Sequence, residues 1–175
     1  LIPANQPKPD AGQATESLMS MTFPIEGSPY HYKVAPLLSP LGSPCSEPPW
    51  AALTAVDMEK GEIVWEVPLG SIDKMLPVSL PWEVDLSLGT PGAGGPLLTA
   101  GGLVFIGYTL DDRFRAFDLK SGEVVWQTDL PAAGTAVPVS YEAGGEQYIV
   151  MPAGGHTMYQ TTLGDSVVAY KLKQK

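Results

Sequence analysis

Few residues in this 175-residue chain combine a reactive side chain with a spacing that suggests chemistry. The foremost is His156, which follows Gly154 and Gly155. Paired glycines let a backbone turn sharply and approach a ligand, and an imidazole can hydrogen-bond a carboxylate or carbonyl oxygen. The residues alone favour a plainer reading, a surface-loop histidine after a Gly-Gly turn. His31 lies between Tyr30 and Tyr32 with no partner at a useful spacing, and reads as structural or exposed. Asp165 follows Gly164 in a turn and is a poor candidate for a general base. Asp111-Asp112-Arg113 reads as a solvated hairpin tip. The single cysteine, Cys45, can make neither an intrachain disulfide nor a thiolate metal cluster. The residues alone leave the catalytic group unknown and assign no metal ligand.

The bulk composition narrows the class. Apolar residues make up 44% and charged residues 17%, the balance of a globular chain. Nineteen Gly and 18 Pro favour turns and short strands over long helices. The net charge of −9, without a Lys/Arg cluster, disfavours nucleic acid and anionic membrane surfaces as partners. The most apolar stretch, Gly95 to Leu110, is too short to span a bilayer and is broken by Gly101-Gly102. The chain opens at Leu1 with no basic segment leading into an apolar one, so its start reads as a processed boundary rather than a signal peptide.

The elements that would carry these residues are strands. Residues 1–50 are Pro-rich and form one expected region, an irregular segment packed on the rest. Leu1 to Thr15 reads as a loop or frayed arm. From Phe23 to Trp50 prolines are dense enough to make regular sheet unexpected, apart from an extended stretch over Met19 to Pro24. Residues 51–175 form the second region. Nine short strands are expected there: 53–58, 61–67, 95–99, 103–108, 114–119, 124–130, 137–142, 147–151 and 166–172. Turn chemistry separates many of them, at Lys60-Gly61, Gly101-Gly102, Ser121-Gly122 and Gly144-Gly145. Leu103 to Tyr108 is apolar on both alternating faces, so this strand should be buried on both sides.

An internal repeat organises the strands. Ala55-Val-Asp57-Met-Glu-Lys-Gly61-Glu-Ile-Val-Trp65 returns 61 positions later as Ala116-Phe-Asp118-Leu-Lys-Ser-Gly122-Glu-Val-Val-Trp126. A third copy starts at Ala169-Tyr-Lys-Leu172. Asp57 and Asp118 are placed to accept turn amides, and Gly61 and Gly122 to take positive φ. Trp65 and Trp126 are expected to lie over a small residue of a neighbouring copy, with Ala55 and Ala116 small enough to serve. Each copy amounts to a four-stranded blade, which must stack on others to bury both faces. The expected fold is all-β: a partial β-propeller of about two and a half antiparallel blades, complete only for the middle copy. Such an open arc cannot close a ring, so the chain is expected to be a piece of a longer protein.

The repeat resembles the tryptophan-docking motif of quinoprotein dehydrogenases. Ser39-Pro-Leu-Gly-Ser-Pro-Cys45-Ser-Glu-Pro-Pro-Trp50 resembles a segment of the membrane-bound pyrroloquinoline-quinone (PQQ) glucose dehydrogenases. So does Gly94-Gly-Pro-Leu-Leu-Thr-Ala-Gly-Gly-Leu-Val-Phe-Ile-Gly107. Ala153-Gly-Gly-His156, Leu163-Gly-Asp165 and Val168-Ala-Tyr170 resemble that family's C-terminal blocks. The resemblance implies an eight-bladed propeller on the periplasmic side of the bacterial inner membrane. It implies PQQ with Ca²⁺ or Mg²⁺ in the full-length parent, oxidation of a sugar or polyol (glucose first), and ubiquinone as electron acceptor. It reverses the plainer reading of His156 and marks His156, Gly155 and Gly154 as cofactor-binding. The family's general base and main metal carboxylates would lie in other blades, so the isolated chain is expected to be inactive. Thr157 stands where the family usually has Gly, and Ser166 replaces a common aromatic, which leaves quinate, shikimate or other polyols as alternative substrates. A non-catalytic propeller module is a further alternative, since such scaffolds carry similar repeats. Open blades also invite self-association.

Overall fold

The computed structural model describes residues 2–3, 20–40, 44–73 and 86–172. All the regular elements among them are strands. No helix among the described residues is long and apolar enough to cross a membrane. The chain divides into two compact units, 1–47 with 158–160, and 48–157 with 161–175.

The first unit holds a three-stranded antiparallel sheet of β1 (Ile2–Pro3), β2 (Met21–Pro24) and β3 (Tyr30–Val34), in the order β1-β3-β2. This corrects two expectations. Regular sheet does form within the Pro-rich region, because Tyr30–Val34 is itself free of proline and rich in aromatic and β-branched residues. Pro24 ends β2, while Pro29 and Pro36 flank β3. The rings of Phe23 and Tyr32, opposite each other in register, stack at 5.2 Å. Of the arm expected over Leu1 to Thr15, Ile2 and Pro3 pair with His31 and Tyr30; the rest lies outside the described residues.

The second unit contains all nine strands expected from the repeat. They are β4 (Ala52–Asp57) and β5 (Glu62–Pro68), then β6 (Leu97–Leu98), β7 (Leu103–Ile106), β8 (Arg113–Asp118) and β9 (Val124–Asp129), then β10 (Val139–Ala143), β11 (Glu146–Ala153) and β12 (Ser166–Lys171). They form sheets of two, four and three strands, each in simple sequential antiparallel order.

The repeat's turn chemistry is realised twice. Asp57 Oδ1 accepts the amides of Glu59 and Lys60 at 2.9 and 3.1 Å, and Asp118 Oδ1 accepts those of Lys120 and Ser121, both at 2.9 Å. These bonds hold both carboxyls below the ordinary carboxylate range. Both copies also carry a β-bulge at the same place. Ala55 faces Trp65 but Val56 faces Ile63, and Ala116 faces Trp126 but Phe117 faces Val124. The extra residues are Val64 and Val125.

Those registers revise the docking expectation. Each motif alanine lies across from the tryptophan of its own copy. What lies under Trp65 from the next copy is Gly122, where a Cβ would meet the indole at 2.7 Å. The indole N–H of Trp65 donates to the Leu119 carbonyl at 2.9 Å. Trp126 instead meets Phe114 and Tyr170 edge-on, at 5.9 and 5.2 Å.

Two cores fill the spaces between sheets. Leu69, Val104, Ile106 and Phe117 pack with Leu53 and Val67 between β4–β5 and β6–β9. Phe114, Leu130, Ile149, Met151 and Ala153 pack with Phe105 and Tyr170 between β6–β9 and β10–β12. Successive residues of β7 thus serve opposite cores: Val104 and Ile106 one, Phe105 the other. This is the two-sided burial that the sequence of β7 predicts.

Candidate functional site

The Gly-Gly-His segment leaves the end of β11 and returns to β12 through residues 154–165. Backbone bonds tie its base: the Gly155 amide donates to the Ala133 carbonyl at 2.9 Å, and the Gly164 amide to the Gly154 carbonyl at 3.0 Å. Thr135 Oγ1 donates to the Gly155 carbonyl at 3.1 Å. His156 comes next and is half-buried, with its Nδ1 buried. Its amide donates to Thr161 Oγ1 at 2.7 Å, and its carbonyl accepts the Thr161 amide at 3.3 Å.

The two glycines have different jobs. Gly155 sits at φ +70°, and a Cβ there would lie 2.1 Å from the Thr162 carbonyl oxygen. Its missing side chain is required by the loop's own packing. At Gly154 a Cβ would find nothing nearer than the Gly164 carbonyl at 3.8 Å, and the residue is exposed. Gly154 is the position with open space beside the histidine. Asp165 is exposed and precedes β12. His31 lies within β3, across from Pro24, and Cys45 is exposed, its amide bonded to the Leu37 carbonyl at 3.0 Å.

The segment Asp111-Asp112-Arg113 departs from the solvated tip expected of it. Asp111 has no exposed surface, and Arg115 retains only 6%. The Asp111 carboxylate accepts from Arg115 through both Nη atoms, from Thr109 Oγ1 at 2.6 Å, and from the amides of Ser71 and Arg113 at 2.9 and 3.2 Å. Burial pushes the Asp111 carboxyl up. The bonds and charge of Arg115, with Thr109 and the Ser71 amide, outweigh it and leave the carboxyl below its ordinary range. Ser71 belongs to the chain leaving β5, so the pair staples the first blade to the second. Arg113 adds to this tie through Asp73, two residues beyond Ser71, at 2.8 Å, and also meets Asp129 of its own blade at 3.7 Å. A strand reading Arg-Phe-Arg-Ala-Phe carries the sequence signal for this: an arginine between core aromatics needs a buried acid.

No group of three His, Cys, Asp or Glu converges among the described residues. What they offer is a histidine whose flanking backbone is tied by hydrogen bonds, beside a glycine with open space.

Comparison with known proteins decides the family. Residues 1–149 match the PQQ β-propeller domain of glucose, ethanol and alcohol dehydrogenases. The chain belongs to this family. It is 42% identical over 170 residues, 97% of its length, to quinoprotein glucose dehydrogenase of Escherichia coli, and that match covers 21% of the relative. Glycerol dehydrogenase large subunit of Gluconobacter thailandicus is 39% identical over 98% of the chain and 23% of the relative. Quinate/shikimate dehydrogenase (quinone) of Acinetobacter baylyi is 38% identical over 86% of the chain and 19% of the relative. The chain therefore spans about a fifth of the length of these quinoprotein relatives. The family is that of the resemblance, and the stacked antiparallel blades are its propeller in part.

Proposed function

We propose that this chain is a blade segment of a PQQ-dependent dehydrogenase that oxidises a sugar or polyol, with glucose as first substrate. The observation that carries the reading is the strapped histidine at the end of β11, next to the open backbone of Gly154. When bound, PQQ supplies a two-electron acceptor for the carbinol carbon of the substrate. His156 would help to hold that group by a hydrogen bond from its imidazole, and Gly154 would leave room for it. Gly155 shapes the loop that holds both. The family's divalent cation and general base belong to other blades of the parent, which acts on the periplasmic side of the inner membrane and passes electrons to ubiquinone. Cut off from those blades, the isolated chain does not turn over substrate on this reading.

Support for glucose comes from the Ser39–Trp50 and Gly94–Gly107 blocks and from the identity to glucose dehydrogenases. Glycerol and quinate dehydrogenases are almost as similar, so the assay compares all three substrates. In the full-length protein that carries this chain, His156→Ala is expected to weaken PQQ binding about ten- to a hundredfold, the worth of a hydrogen bond to a charged group. The measurement is a fluorescence titration of the apoprotein with PQQ, followed by turnover of glucose, glycerol and quinate. Unchanged PQQ affinity would remove His156 from the cofactor site, and turnover of quinate alone would displace glucose.

A further inference from the structure

We propose that Thr161 is a positioning residue for the cofactor site, fixing the backbone of His156 and through it the aim of the imidazole. The inference rests on the reading of His156 as a cofactor contact. His156 and Thr161 are joined twice, in opposite senses. The Thr161 hydroxyl accepts the His156 amide at 2.7 Å, while the Thr161 amide donates to the His156 carbonyl at 3.3 Å. Together they close the loop 156–161 on itself. The preceding residue is pinned from the other side, since Gly155 donates to Ala133 and accepts from Thr135. With both peptide units flanking the histidine fixed, the direction of its Cα–Cβ bond is fixed as well. Among these ties, the Thr161 hydroxyl is the side-chain group that bonds His156 itself. Its neighbour Thr162 enters the loop through its carbonyl, which crowds Gly155, and its own side-chain position is exposed. A threonine pair in a loop gives no hint in the sequence as to which member matters; the closure does.

The role requires a hydroxyl oxygen as acceptor. Valine keeps the shape of threonine and removes that acceptor, whereas serine keeps it. In the full-length apoprotein, Thr161→Val is expected to weaken PQQ binding about three- to tenfold, the range for one lost hydrogen bond. Thr161→Ser should recover most of the affinity, and Thr162→Val should leave it unchanged. The deciding measurement is a double-mutant cycle read by PQQ titration. If Thr161 acts through His156, Thr161→Val has no further effect once His156 is alanine. Hydrogen exchange of the peptide covering 154–164 should also quicken in Thr161→Val and not in Thr161→Ser. A Thr161→Val loss of equal size with and without His156 would overturn the positioning role, as would full affinity in Thr161→Val itself. If His156→Ala binds PQQ like the wild type, the cofactor reading of the histidine fails, and the role of Thr161 fails with it. That outcome is distinct from a harmful His156→Ala with an additive Thr161→Val.

Discussion

Single residues in this chain do work that their neighbours in sequence conceal. Asp111 lies in an Asp-Asp-Arg run that looks like a hydrated tip, yet it is enclosed and bound by Arg115, Thr109 and the Ser71 amide. Breaking such a pair leaves a buried charge alone, so Asp111→Asn is expected to cost about 3–5 kcal/mol in urea unfolding. Replacing Arg115 by Met in the same variant should recover part of that loss. The native carboxyl titrates below its ordinary range, so its stabilisation is complete above that range and is lost as pH falls through the lowered value. The acid-side fall of the urea midpoint should therefore be shallower in Asp111→Asn than in the wild type. The burial of Asp111 was not legible because a different blade imposes it, through Ser71, forty positions away. The glycines beside His156 were legible as a pair but not as individuals. Gly155→Ala should destabilise the loop, by about 1–3 kcal/mol for strain at positive φ plus a clash with Thr162, whereas Gly154→Ala should fold normally. Thermal melts of the two variants provide the check. A Gly154→Ala that folds but binds PQQ poorly would further indicate that the cofactor passes over that backbone.

The strands themselves were largely readable. Repeated turns, alternation and the doubled apolar pattern of β7 set all nine strands of the second unit to within a few residues. Two features stayed hidden. The bulges at Val64 and Val125 are made of residues that look like any other strand valine, so the alternation shows no visible break. β3 was masked by the prolines around it, although none falls inside it. The seat of the tryptophan also eluded the pattern. The repeat names a small residue, but only the stacking of blades shows that Gly122, not an alanine, receives Trp65. Gly122 is held twice over, by its φ of +75° and by the indole above it. Gly122→Ala is expected to lose about 2 kcal/mol or more, combining backbone strain with a displaced ring. The exposed Gly61 has the same positive φ with no ring above it, so Gly61→Ala should cost only the strain. Comparing the two melts separates the docking contribution from the turn. Equal losses would mean that the indole gives way freely.

At the scale of the second unit, its first and last sheets carry exposed apolar residues. On the outer side of β10–β12, away from the Phe114 core, lie Val139, Tyr141 and Val167, all exposed. On the first blade Val56, Ile63 and Val64 are exposed in the same way. The isolated chain is expected to self-associate as concentration rises, read by light scattering; a monomer at high concentration would count against that. The family and the blade arrangement were legible because repeats carry their own spacing, while acid, base and cation chemistry was not, because no such constellation stands at a recognisable spacing in this sequence. The two-sided strand β7 has a consequence of another kind. A wall shared by two cores links them as neighbours in a row, so loosening travels blade to blade rather than through one common interior. Amide protection should therefore form a gradient. It should peak in β7 and β8, which have a core on either side, and fall away toward β4 and β10, whose sheets each border one core.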